Sequence, residues 1–461
     1  MFFCSFSCPF VSNGFFLCPK IEEVIILKND LILDTHERPA AFKWLSLSLQ
    51  HVLAMFGATI LVPVLTGLPV GLTLISSGVG TLIYIICTKG KVPVFLGSSF
   101  AFISPIVASR FIGATVNEYG YIVDNANQGA VTGGLIMVGL LYVLIAMIIK
   151  FTGTGWVNKL LPPVVIGPTI MIIGLYLAPV AVRWSTQTGG ARTGDWNGLY
   201  VIIAFVTLLT AIFVSMYTKG IFQLLPIFIG MVVGYILSVI LGIVDLTAVE
   251  NTGIFNNLEL AILNYRPQFT WEIAALMLPV AIVTIAEHIG DVMVLNDILR
   301  RDLTKKPGLH RTLLGDGLGS MVAGIIGGPA NTTYSENVGV VGLTKVASVW
   351  VIGGAAVIAI LLGFIQPFTN FVGTIPFPVM GGVSILLFGI IGACGVRVMV
   401  DGKVDLGSQR NLIIASVILV IGIGDMDLHF GYITIGGMAL AAIVGIILNQ
   451  ILPKDKKKKK A

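Results

Sequence analysis

Apolar residues in this chain come in blocks of about twenty, separated by short polar or Gly- and Pro-rich stretches. They show neither the alternation of a half-buried strand nor the single stripe of a surface helix. At 1.5 Å per residue, a block of about 20 crosses a hydrocarbon layer of about 30 Å. The blocks fall at 44–66, 70–88, 92–109, 129–150, 160–182, 198–217, 220–243, 273–296, 312–327, 330–345, 347–370, 376–396, 411–424 and 432–452. The pattern therefore predicts an all-α polytopic membrane protein of about 14 segments. Two blocks are irregular. Lys91–Pro105 (KVPVFLGSSFAFISP) and Gly327–Lys345 (GGPANTTYSENVGVVGLTK) each place Pro and small polar residues before an apolar half, as the third and tenth blocks. Irregular backbone at membrane depth has to face protein or a water-filled cavity. Interrupted segments at matching places in two halves point to a binding site between them.

A faint internal repeat agrees with two halves. Pro163 is followed by Val164, Gly167 and Gly174, and Pro378 by Val379, Gly382 and Gly389 at the same offsets, at the heads of the fifth and twelfth blocks. Seven is an odd number of crossings, so a second copy of seven is inverted, the plan of many secondary transporters.

Composition narrows the class further. Hydrophobic residues make up 56% and charged residues 11%, with a mean hydropathy of +0.95, so no sizeable water-soluble domain is expected. Cys4, Cys8 and Cys18 lie near the start and Cys87 and Cys394 in apolar blocks, without zinc spacing or a disulfide framework; the histidines are scattered. No metal and no nucleic-acid partner are expected. Residues 1–20, apolar and aromatic but broken by Pro9, Asn13 and Gly14, fit neither a signal peptide nor a span. Residues 1–43 are expected as a cytoplasmic extension, with Ile21–Pro39 as a charged lead-in. Lys89, Lys150, Lys219, Arg300, Arg301, Lys345, Arg397 and Lys456–Lys460 fall on the side of both termini, whereas the opposite loops carry acids such as Glu118, Asp195 and Asp425. Basic loops stay inside, which predicts cytoplasmic termini in the cell membrane, with lipid as a partner and the tail 454–461 as a topology signal.

The chemistry lies in buried acids. Glu287 and Asp291 sit one turn apart inside the eighth block, and Glu336 opens the apolar half of the tenth. An ionisable group at bilayer depth costs about 2.5–3.5 kcal/mol on insertion scales, which makes each a candidate for a pathway or site. His288, turned about 100° from Glu287 on a helix, belongs to another face, and His51 reads as a satisfied polar residue between helices. An enzyme would need a nucleophile with its base or a metal cluster, a channel a polar ring, and an anion carrier a positive cavity; none is apparent. A transporter, and no enzyme, is expected.

Several runs carry a family resemblance: Gln50-His51, GSSFAFISP, AEHIGD around Glu287, and Glu336-Asn337-Val338-Gly339 followed by Thr344-Lys345. Together they resemble the nucleobase:cation symporter family, also called the nucleobase-ascorbate transporters, over about Lys43–Pro453. NTTYSENVGV, with its flanks PGLHR and FPVMGGVS, looks most similar to the bacterial uracil-carrying branch. The resemblance implies two inverted seven-segment repeats. It divides them into a core domain (44–150 with 270–370) and a gate domain (151–245 with 371–453), with segments three and ten pairing as short strands around the substrate. It places the binding carboxylates on Glu287 and Glu336 and backbone contacts on Phe100 and Ser335. Proton coupling is expected at Glu287 with Asp291, with no cofactor beyond the proton, and a homodimer. The substrate implied is uracil. At Asp291, where uracil carriers can hold His, the Glu-to-Asp spacing resembles the purine and xanthine branch, and Phe388 lacks the hydroxyl of a Tyr. Xanthine or another purine stays open, as does sodium in place of the proton; an anion carrier or channel is the more distant alternative.

A pyrimidinedione edge alternates N–H donors with carbonyl acceptors. Carboxylates can accept from it, half-helix amides can donate to it, and the ring of Phe100 or Tyr334 can cover its face.

Overall fold

The computed structural model describes residues 31–112, 115–116, 122–124, 127–188, 194–220, 222–250, 253–256, 260–430 and 433–453. Most of the expected N-terminal extension (1–43) and the lysine tail (454–461) thus lie outside the described residues, as does Glu118.

Helices fill the apolar blocks. In chain order they are α1 (Ala41–Thr66), α2 (Val70–Cys87), α3 (Ile103–Phe111), α4 (Gln128–Thr152), α5 (Gly155–Leu160), α6 (Pro163–Thr186), α7 (Gly198–Tyr217), α8 (Pro226–Ile240) and α9 (Thr247–Glu250). The second half holds α10 (Ala261–Asn264), α11 (Trp271–Leu299), α12 (Leu309–Ile326), α13 (Ser335–Thr344), α14 (Val349–Phe364), α15 (Gln366–Gly373), α16 (Phe377–Asp401), α17 (Gln409–Ile423) and α18 (Gly437–Ile451). Seven of them, α1, α2, α4, α6, α7, α11 and α16, are long and apolar enough to cross a membrane; α8, α14, α17, α18 and Phe100–Phe111 are shorter apolar helices. This is a multi-pass membrane fold. Side-chain oxygens supply several helix starts, since the first amides of a helix have no partner within it. Asn127 accepts from Ala130 N at 2.9 Å, Asn197 from Leu199 N at 2.9 Å and Thr270 from Ile273 N at 3.3 Å.

Small residues decide which helices meet, because close approach of backbones is what drives packing in lipid. α12 is less apolar than its neighbours and sits among them: a methyl group on Gly315 would lie 2.8 Å from Tyr84 Cδ2 in α2, and one on Gly317 3.1 Å from the Gly139 carbonyl in α4. α1, α2, α4, α12 and α14 pack on one another in this way. A second group forms around α6 and α16, joined by α7, α8, α17 and α18. There Gly167 of α6 faces the Gly395 carbonyl of α16, where an added methyl would come within 2.8 Å. The repeated Pro163 and Pro378 both start helices, α6 and α16, where proline's missing N–H costs nothing.

The two irregular blocks are broken in the structure. Strand β1 (Leu96–Ser98) precedes a 3₁₀ turn, Phe100–Phe102, and α3; strand β4 (Asn331–Thr333) precedes α13. Two further strand pairs, β2 (Thr115–Val116) with β3 (Ile122–Asp124) and β5 (Leu428–Phe430) with β6 (Ile433–Ile435), lie in connections. β1 and β4 pair antiparallel, with Leu96 opposite Thr333 and Ser98 opposite Asn331. So short a ladder at membrane depth needs partners for its remaining polar groups. Neighbouring helices provide them: Leu96 N donates to Thr81 Oγ1 at 2.9 Å, Asn331 Nδ2 to the Ser76 carbonyl at 2.9 Å, and Ser320 Oγ to the Asn331 carbonyl at 2.6 Å. Gly97 is required here, because a Cβ would run into the Tyr334 ring lying over the strand.

Candidate binding site at the strand crossing

The residues singled out by sequence meet in one cavity. Phe100, Glu287, Asp291, Ser335 and Glu336 all line a space of about 420 Å³ around the ends of β1 and β4. Each arrives by a different local rule. Phe100 opens the 3₁₀ turn after β1, Ser335 and Glu336 form the first turn of α13 after β4, and Glu287 and Asp291 project from one face of α11. Ile170 of α6, with Ile390, Ile391 and Cys394 of α16, forms the facing wall, and the cavity continues along α16 to Arg397 and Asp401.

The three carboxylates are not equivalent. Asp291 is committed to the protein: Thr333 Oγ1 donates to its Oδ2 at 2.7 Å and Ser335 Oγ to its Oδ1 at 2.5 Å. Both its oxygens are thus engaged with the β4–α13 junction. Glu287 Oε2, by contrast, is buried and meets no protein donor. A buried acceptor left unpaired costs about 1–3 kcal/mol, so this atom is poised for a donor supplied by a ligand or for a proton. Glu336 stands in the first turn of α13, beside amides that have no partner inside the helix and where the helix dipole favours negative charge.

Aromatic residues close the site. The Phe100 and Phe388 rings meet edge to face, with centroids 5.7 Å apart. Tyr334 also reaches the cavity, but its hydroxyl donates to the Ser98 carbonyl at 3.1 Å and accepts from Thr59 Oγ1 at 3.3 Å. Its polar end therefore holds the crossing together. Behind it, Asn337 Nδ2 reaches His51 Nδ1 at 3.0 Å and the His51 carbonyl at 3.2 Å, tying α13 to α1. His51 is the satisfied polar residue between helices that the sequence suggests.

His288 turns away from the cavity, as its helical phase requires. Its Nδ1 lies 3.4 Å from Asp316 Oδ2 of α12, with both side chains fully buried. Asp316 is an acid in the ninth apolar block and obeys the rule that singles out Glu287, yet the sequence reading passes over it. Thr333 is a further case: a lone hydroxyl in a polar run has no sequence signal of its own until the chain is folded. Among the described residues no group of His, Cys, Asp and Glu has the makings of a metal site.

The profile of the Permease family matches residues 42–430, nearly the whole described chain. The chain belongs to the Permease family. Its similarity to curated members spans full lengths: 48% identity over 428 residues with the uracil permease of Bacillus caldolyticus (92% of this chain, 95% of that one). The uracil permease of Escherichia coli (strain K12) is 43% identical over 421 residues, covering 90% of this chain and 92% of that one. Among solved structures, the transmembrane domain of the cyanobacterial bicarbonate transporter BicA superposes with a TM-score of 0.61 at 14% identity, over 90% of this chain and 98% of that one. At that identity the likeness speaks for the fold, and this permease shares the inverted-repeat architecture with its broken third and tenth segments.

Proposed function

We propose that this permease imports uracil across the cell membrane by proton symport, with both termini cytoplasmic. The observation that carries the reading is the orphaned Glu287 Oε2 in the same cavity as Glu336 and two half-helix starts. The ring N–H groups of the base donate to the Glu287 and Glu336 carboxylates. Its carbonyls accept from the amides of Phe100 and Ser335, and the Phe100 ring covers one face. Every polar atom of the base then has a partner, which a dry pocket demands. Glu287 couples the two: protonated on one oxygen, its carboxyl still accepts a ring N–H of the base on the other, so proton and base cross together. Asp291 keeps the β4–α13 junction in place beside it.

The two walls of the cavity support alternating access as the mode of transport. The core domain, 44–150 with 270–370, carries Phe100, Glu287, Ser335 and Glu336; the gate domain, 151–245 with 371–453, supplies Ile170, Ile391 and Cys394, with the Phe388 ring set against Phe100. Movement of one past the other opens the site first to one side and then to the other. The cavity reaches Arg397 and Asp401 at the end of α16, on the basic and hence cytoplasmic side, so this conformation is inward-open. A homodimer in lipid would hold the gate domains still.

The second reading is a xanthine or other purine carrier, favoured by Asp291 four residues after Glu287. Uptake of labelled uracil into proteoliposomes under an imposed pH gradient, with xanthine as competitor, separates the two. Uracil uptake driven by an inward proton gradient and abolished in Glu336→Ala is expected. Uptake that follows a sodium gradient but not pH removes the coupling proposal; uptake of labelled xanthine with no uracil uptake replaces the substrate. The fold also serves anion transporters, but the carboxylate-lined cavity would repel their cargo.

A further inference from the structure

The segment before α1 looks in sequence like a solvated lead-in, but its described part lies against the ends of two helices. Ile32 N donates to the Lys345 carbonyl at 2.8 Å, Ala347 N to the Leu33 carbonyl at 2.8 Å and Val349 N to the Thr35 carbonyl at 3.0 Å. Ser348 Oγ adds a bond to the Glu37 carbonyl at 2.5 Å. From the same segment Asp34 takes a two-pronged contact from Arg301, with Nη1 at 2.8 Å from Oδ1 and Nη2 at 2.5 Å from Oδ2. The Arg301 guanidinium holds the Asp34 carboxyl below its ordinary value.

The segment so joins the start of α14 to the ends of α11 and α13, the two helices that bear the acids of the site. α11 is capped by Arg300 and α13 by Lys345, both in the left-handed conformation with φ of 52° and 57°. From Asp291 to Arg300, and equally from Glu336 to Lys345, the helix runs about 14 Å at 1.5 Å per residue. The segment therefore ties α11 and α13 together at one level measured from Asp291 and Glu336, with Glu287 about one turn further along α11. A small apolar core of Val292, Leu295 and Leu299 from α11 with Val338 and Val341 from α13 joins the two helices as well, and the segment's polar contacts border a cavity of about 500 Å³ lined by Asp34, His36, Lys91, Arg301 and Lys306.

We propose that residues 32–37 are a clip that sets the height of α11 against α13, and with it the spacing of the Glu287 and Glu336 carboxylates, Asp34 and Arg301 being positioning residues. A helix slide of a fraction of a turn at the clipped ends is carried rigidly to the acids. Hydrogen bonding to a planar base tolerates little of it. The inference rests on the reading that Glu287 and Glu336 hold the base.

The test is equilibrium binding of labelled uracil, together with the KM and maximal rate of uptake, in purified full-length Asp34→Arg, Arg301→Asp and the exchanged pair Asp34→Arg/Arg301→Asp. Glu336→Gln serves as control, and a melting temperature is taken for each. Each single change is expected to raise Kd and KM about fivefold, the loss of one partly exposed bidentate pair, with the maximal rate and melting temperature near those of the unaltered protein. The exchanged pair should return Kd to within about twofold, since it rebuilds the same contact with reversed charges. Wild-type binding in both single variants overturns the clip. So does weakening that tracks a lower melting temperature, or that the exchange fails to relieve. If Glu336→Gln binds uracil as tightly as the wild type, the reading of the site itself has failed and the clip has nothing to position.

Discussion

The two broken segments share a topology and divide the chemistry. Segment three brings β1, the buried Ser98 and Ser99 hydroxyls without partners, and the Phe100 ring; its contribution is backbone and an apolar face. Segment ten brings β4, Thr333, Ser335, Glu336 and Asn337, with three of these already bonded to Asp291 or His51. Inverted duplication thus explains the shape of the site but not its polarity. A flat heterocycle needs one side that covers and one that reads, so two equal halves would serve it less well than two unlike ones.

The largest expected asymmetry is between Glu336→Gln and Ser98→Ala. Removing the charged acceptor should weaken uracil binding about 100-fold, whereas Ser98→Ala, which deletes an unpartnered hydroxyl, should change it less than about threefold. Comparable losses measured by scintillation proximity would abolish the distinction.

Next comes Thr333→Val, which leaves one Asp291 oxygen buried without its donor. About a tenfold loss of affinity is expected from an unpaired carboxylate oxygen. Unchanged affinity would show that Asp291 does not hold segment ten in place. On the covering side, Phe100→Leu keeps bulk but loses the ring, and a rise in Kd of about fivefold is expected from the lost aromatic contact. A hundredfold rise would make segment three the reading side.

The smallest effect concerns the clip at the far end of α13. The folded Asp34 carboxyl lies below its unfolded value, chiefly through the hydrogen bond from Arg301, so the pair stabilises the fold above the ordinary carboxylate range, about pH 3.9. That contribution fades as pH falls through the lower folded value. Thermal melts of Asp34→Asn and wild type should therefore differ slightly at neutral pH and converge in acid. A gap that does not narrow as pH falls below the ordinary carboxylate value of about 3.9 contradicts the assignment.

Much of this was legible in the chain, and for plain reasons. Hydrocarbon imposes a length on every crossing, so apolar blocks alone place α1, α4 or α16 to within a few residues. It also penalises stray charge and free backbone, so Glu287, Glu336 and the small polar runs before Phe100 and Ser335 stand out. What the sequence leaves open is which polar groups satisfy one another. Asp291 reads as a sibling of Glu287 and is instead occupied by Thr333 and Ser335, while Tyr334 reads as a lid and spends its hydroxyl on the strand crossing.

The sequence by itself determined where the apolar segments lie, the places where they break and the acids they carry, because a bilayer acts on each residue one at a time. Only the tertiary structure decided which carboxylate keeps a free oxygen, that Asp316 answers His288, and that the chain before α1 grips α11 and α13. Those outcomes depend on directional contacts between residues far apart in the chain, and hydrophobic patterning carries no record of them.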